Sequence, residues 1–195
     1  MPTINRAEFY KRHRVRYGAL TTSQVQGFEA IFNKWELLKY TDLRKLAYVV
    51  GTVWHETART MQAIEEWGKG KGKPYGKKIS YNGQPYTWPD ELFYGRGLAM
   101  ITWRENYDKM GRLIGKNLLE FPELALDLGV AVDILFEGMY KGDSNFGDFT
   151  GKSLEDYFNK TTDDSVNARR IINRMDKAET IAVYHRFFLS CLTLK

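Results

Sequence analysis

The sequence predicts a mainly α, α+β fold: a helical body with a small β-hairpin lobe flanking a cleft. Apolar residues recur at helical spacing through most of the chain, whereas the stretch 68–91 breaks that period and carries an Asn82-Gly83 pair between β-prone residues. The 195 residues, 43% of them hydrophobic, supply the apolar surface of a real core. One domain over 1–195 is expected, with the lobe near 68–91 as a satellite of the same body.

From the N-terminus, residues 6–17 read as a short basic helix ended by Gly18. Thr22 or Ser23 caps a core helix in which Val25, Phe28, Ile31, Phe32, Trp35 and Leu38 repeat at helical spacing. Asp42 caps the next, whose stripe of Leu43, Leu46, Ala47, Val50 and Val53 or Trp54 runs up to His55 and Glu56. After the Gly/Lys-rich loop and the hairpin, helices are expected near 103–114, 123–140, 153–159, 164–174 and 177–192. Their boundaries are marked by Pro122, Gly142, Ser153, Asp163 and Asp176.

Composition narrows the chemistry. Cys191 is the only cysteine, so there is no internal disulfide and no thiolate metal cage. The net charge of +5, with clusters at Lys11, Arg12, Arg14 and Arg16 and at Lys69, Lys71, Lys73, Lys77 and Lys78, suits an anionic polymer or a solvated surface equally. The N-terminal residues show no apolar run of signal-peptide length, so synthesis in the cytosol is expected.

Glu56 is the first candidate for catalysis. A carboxylate late on an apolar helix is placed where desolvation favours its protonated, proton-donating form. His55-Glu56 does not make a zinc-protease motif, because Arg59 stands where the second histidine would be; His55 is expected to be buried, hydrogen-bonded and structural. A glycosidase needs a second carboxylate across the scissile bond, and Glu65 and Glu66 come just past the helix end, with Asp90 and Glu91 further on. The glycines at 95–97 lack the rest of a phosphate-binding loop and instead allow close backbone approach. Beyond them Thr102, Asn106 and the aromatics Tyr94, Trp103 and Tyr107 offer the hydroxyl, amide and flat faces that bind sugars, with Trp103 and Tyr107 read as core packing.

WHET at 54–57, YGRGLAMITWRENY at 94–107 and NARRIINRMD at 167–176 together resemble the family 19 chitinase-like hydrolases and their lysozyme-like relatives among phage endolysins. The resemblance covers roughly residues 40–190. It implies a lysozyme-like fold, Glu56 as general acid, Thr102 holding the attacking water, and Asn106 and Asn173 contacting substrate, with Tyr94 beside them. The second carboxylate, about nine positions after the first in the phage enzymes, falls on Glu65 rather than Glu66. Met100 stands where the family has glutamine, and Arg174 where it has glycine after the I-I-N asparagine.

The absence of the disulfides and spacing of plant chitinases turns the expectation toward an N-acetylmuramidase that cuts the glycan strands of bacterial peptidoglycan. A chitinase is the first alternative and a non-enzymatic binder of anionic polymer the second. No cofactor or metal is implied. The expected partners are peptidoglycan and, through the basic surface, anionic envelope polymers, without nucleic acid or stable membrane insertion, for a monomer released to the wall by a separate pore-forming protein.

Overall fold

The computed structural model describes residues 2–87, 91–140 and 149–195. Three helices open the chain: α1 (Arg6–Tyr17), α2 (Thr22–Leu37) and α3 (Leu43–Glu56). Each begins at a side-chain cap. Asn5 accepts from the Glu8 amide, Thr21 and Gln24 form a capping box, and Asp42 accepts from the Arg44 amide. The α2 cap is thus Thr21, one residue before the expected Thr22 or Ser23.

Helix α3 is more deeply placed than its stripe suggests. Every residue from Leu46 through Trp54 is buried, because α3 lies along α7 (Ala178–Cys191) and also touches α2 and α5 (Leu128–Tyr140). At the crossing, a Cβ on Gly51 would stand 3.1 Å from the His185 amide, so its absence lets α3 and α7 meet closely. One core spans these helices and α1, with Phe9, Phe28, Trp35, Trp54 and Phe188 among its largest members, while Leu38, expected in that stripe, is exposed.

A second apolar cluster of Phe93, Ile101, Tyr107, Met110, Leu118, Ala125 and Ile134 packs around α4 (Arg104–Ile114). Phe149 touches both clusters. Between them lies a small antiparallel sheet, β1 (Ile64–Glu65) against β2 (Arg96–Gly97), with Ile64 opposite Gly97 and Glu65 opposite Arg96.

The expected hairpin is present in minimal form, with the Ser80 amide donating to the Gln84 carbonyl and the Tyr86 amide to the Lys78 carbonyl across the turn. Gly83 takes a left-handed φ of +83° and donates to the Ser80 carbonyl, and a single bridge joins Ile79 to Pro85. The described sheet is formed instead by segments 31 residues apart, a pairing that local turn chemistry cannot announce. Other boundaries shift: 123–140 divides into a 3₁₀ turn, Pro122–Leu126, and α5, because Asp127 is extended. Only Leu154–Tyr157 is α-helical in 153–159 (α6), and 164–174 contains just the 3₁₀ turn Asn167–Ile171. The Gly142 marker lies outside the described residues.

The reversal at the end of α3 shapes the site. Ala58, Arg59 and Met61 all take positive φ, turning the chain back within a few residues of Glu56. Thr57 Oγ1 donates to the Val53 carbonyl and accepts from the Met61 amide, closing that turn. Gly27 of α2 makes room for it, since a Cβ there would stand 1.9 Å from the Met61 carbonyl oxygen. Gly27→Ala is therefore expected to destabilise the protein by about 1–3 kcal/mol through overpacking. Thermal unfolding followed by circular dichroism checks this, with a fall of roughly 2–4 °C per kcal/mol for a chain of this size.

Candidate active site

Glu56 is the last residue of α3, and its side chain retains 15% of its exposure. Arg169 Nη1 donates to Glu56 Oε1 at 2.6 Å, while Arg169 Nε donates to the Asp176 carbonyl at 2.7 Å. The Arg169 side chain is only 2% exposed. A planar cation held at two edges fixes the carboxylate facing it, so Arg169 is the positioning group of the site. The sequence contains it in plain view in NARRIIN, yet nothing in the local pattern separates Arg169 from the exposed Arg170 beside it.

The second wall comes from the loop joining β2 to α4. Gly97, Met100 and Trp103 take positive φ, and the Arg96 and Ile101 backbones exchange hydrogen bonds, which folds the loop tightly. The loop thereby delivers Thr102 to the cleft. A recess of about 320 Å³ is lined by Glu56, Glu66, Tyr75, Met100, Thr102 and Asn173 among others. It continues through Tyr75, Thr102 and Asn173 into a groove of about 870 Å³ that also meets Tyr81, Trp103 and Asn106. Glu56, Thr102, Asn106 and Asn173 therefore share one cleft.

Several expected placements change. Trp103 is half-buried on the groove wall with its ring edge-on to Tyr75 at 5.7 Å, rather than in the core. Tyr94, expected against substrate, is 8% exposed and stacks on the Arg96 guanidinium 3.7 Å from its ring centre. His55 is half-buried against Tyr184 instead of buried, and that burial lowers its pKa. Tyr107, by contrast, is fully buried, as expected of core packing, and donates to the Tyr94 carbonyl.

Adjacent residues in an extended segment point to opposite sides, and Glu65 and Glu66 do so here. Glu66 lines the recess with Glu56 and accepts from the Tyr75 hydroxyl at 3.0 Å. Burial and that carboxylate push the Tyr75 phenol up to about 12. Glu65 instead pairs with Lys69 at 3.0 Å and accepts from the Tyr94 hydroxyl at 3.0 Å. The Lys69 ammonium, and then Tyr94, hold the Glu65 carboxyl below the usual carboxylate range. Asp90 lies outside the described residues; the Glu91 carbonyl accepts from the Tyr86 hydroxyl.

Two measurements probe this electrostatic frame. Arg169→Met leaves Glu56 without its cation, with an expected loss of about 3 kcal/mol, the low end for a buried pair because Glu56 stays partly solvated. Chemical denaturation reads it. Lys69→Gln removes the larger stabiliser of ionised Glu65, so the Glu65 pKa rises toward the ordinary value and protonation on acidification begins at higher pH. An NMR titration of the Glu65 carboxyl that does not move would show that Lys69 is a solvated neighbour only.

Comparison with known proteins agrees with this architecture. The family model for chitinase class I, glycoside hydrolase family 19, matches residues 22–137. Endochitinase 3 of Nicotiana tabacum is 33% identical over 88 residues, 42% of this chain and 26% of that protein. Chitinase 9 of Oryza sativa subsp. japonica is 32% identical over 88 residues, again 42% of this chain and 26% of the relative. The chain thus matches only about a quarter of the length of these curated relatives.

Among solved structures, chitinase C from Streptomyces griseus HUT6037 superposes with a TM-score of 0.59 at 20% identity, covering 95% of this chain and 74% of that one. The class IV chitinase from Zea mays gives 0.56 at 16% identity, covering 92% and 89%. These relatives favour the chitinase alternative over the muramidase expectation. With the family match spanning more than half its residues, the chain belongs to glycoside hydrolase family 19, the chitinase class I family.

Proposed function

We propose that the chain hydrolyses strands of linked N-acetylhexosamine, with Glu56 as general acid. The observation that carries this is the recess in which Glu56, held by Arg169 at the end of a buried helix, faces Thr102 and Asn173. In the mechanism proposed, protonated Glu56 donates to the glycosidic oxygen as the bond to the anomeric carbon breaks. Thr102 orients the attacking water on the opposite face of the sugar ring. Glu66, which lines the recess with Glu56, stabilises the developing positive charge and takes the proton from that water. An inverting reaction of this kind needs carboxyl groups roughly 6.5–9.5 Å apart, room for one water.

A second reading exchanges the adjacent carboxylates. Glu65, at the spacing from Glu56 that the resemblance gives the second carboxylate and kept ionised by Lys69 and Tyr94, would take the proton, and Glu66 would only anchor Tyr75. Chitin-type oligomers are the substrate the named relatives support best. Peptidoglycan strands share the same linkage chemistry, and an endolysin acting on them is the second substrate reading. It is favoured by Arg174, a cation on the groove wall whose charge an acidic strand would offset and a neutral polymer would not.

Glu56→Gln keeps the shape and removes the proton. It is expected to lower turnover of N-acetylhexosamine oligomers at least about 100-fold with an unchanged circular dichroism spectrum. A folded variant within a few-fold of the parent protein removes Glu56 from the chemistry. Glu66→Gln is expected to lose most activity and Glu65→Gln to stay near the parent; the reverse order selects the second reading. Mass spectrometry of products from chitin oligomers and from purified wall, read at the new reducing end, identifies the bond cut.

A further inference from the structure

We propose that Arg174 reads a carboxylate on the bound strand, so that the groove takes an N-acetylhexosamine glycan bearing acidic substituents; the proposal rests on the reading that this cleft binds a glycan. Three observations converge on it. Arg174 lines the long groove one residue from Asn173, which faces both the groove and the catalytic recess. It is exposed and, among the described residues, makes no hydrogen bond or ion pair. Its φ is +40°, a left-handed conformation that a side-chain-bearing residue adopts only at a cost and that glycine adopts freely. A long cation is thus retained where the backbone would be better served by no side chain, and such outliers cluster at ligand clamps.

The other cations of the cleft are committed. Arg169 holds Glu56, Lys69 holds Glu65, and Arg112 pairs with Asp108 at 2.8 Å. Lys109 has an interaction of its own. Among the described residues the acids lining the groove have partners as well: Asp108 pairs with Arg112, and Glu105 accepts from the Tyr81 amide at 3.4 Å. Arg174 therefore brings to the groove a guanidinium with no partner among the described residues, and a carboxylate on the strand matches its planar donors. A chitin strand has none. A strand with lactyl ethers supplies one directly, and a strand with stem peptides, in which the lactyl acid is consumed as an amide, supplies others on the peptide.

The test measures binding in the Glu56→Gln background, which halts turnover while the amide oxygen can still accept from Arg169, and an unchanged circular dichroism spectrum is required of it. Three ligands of equal sugar number are compared by calorimetry: chitin oligomer, peptide-free wall glycan with free lactyl acids, and wall glycan with stem peptides. The preference for acid-bearing over neutral ligand, as the ratio of Kd values, is expected to fall about tenfold or more on adding Arg174→Gln, in line with one charge-assisted hydrogen bond. Arg174→Lys should restore part of it, and the preference should shrink with added salt.

Loss confined to the peptide-free ligand assigns the lactyl acid, and loss confined to the peptide-bearing ligand assigns the stem peptide; either supports the proposal. Arg174→Gly, which suits the backbone at φ +40°, is expected to fold at least as well as the parent and to lose the same preference, separating the charge from the turn. An equal loss for all three ligands, or an unchanged ratio, overturns Arg174 as a carboxylate reader while leaving the glycan reading intact. Binding of none of the three overturns both.

Discussion

The arrangement of the cleft depends on one interaction, the nearly buried ion pair between Arg169 and Glu56. Taking a guanidinium out of water is costly unless its donors are satisfied, and here the donors reach Glu56 on one side and the Asp176 carbonyl on another. The Asp176 contact ties the short turn at Asn167–Ile171 to the segment that enters α7, and α7 lies along α3, which carries Glu56. The pair thus closes a ring of contacts that begins and ends at the carboxylate. It also places Asn173 and Arg174, a few residues beyond Arg169, on the cleft wall.

The opposite wall is built from backbone strain. Two of the tight reversals described between Glu56 and Trp103 form it, with non-glycine residues at positive φ: Ala58, Arg59 and Met61 in the first, Met100 and Trp103 in the second. Each such residue is disfavoured by roughly 1–2 kcal/mol in the left-handed region, and each reversal is held by named hydrogen bonds. The first brings Glu65 and Glu66 back beside the helix that ended at Glu56. The second presents Thr102 to the same space. The two-stranded sheet, with Glu65 opposite Arg96, clips the reversals together.

Electrostatic asymmetry arises from the alternation of side chains along that clip. Glu66 turns to the recess and a tyrosine hydroxyl, whereas Glu65 turns to an ammonium and another tyrosine. Two neighbouring carboxylates thereby acquire different surroundings, and Glu65 is the one paired with Lys69. The proposed division of labour uses that difference: Glu56 releases a proton, Glu66 takes one from water in the same recess, Glu65 stays in its pair with Lys69, and Arg174 lines the groove beyond them.

The sequence by itself determined the helical body and the residues at its ends. Helical spacing and caps at Asn5, Thr21 and Asp42 are local properties, so the first three helices and the position of Glu56 at the end of the third depend on residues within a few places of one another. The first two motif blocks, at 54–57 and 94–107, likewise lie within the residues that match the family. The sheet, the Arg169–Glu56 pair and the sorting of Glu65 from Glu66 were decided only by the tertiary structure. Ile64 meets Gly97, and Arg169 meets Glu56, across long stretches of chain. A cross-chain register or an ion pair of that span has no periodicity for local reasoning to read. The same limit explains why local pattern puts Trp103 in the core when it stands on the groove wall: its exposure depends on the positive φ at its own position and on Tyr75 across the cleft.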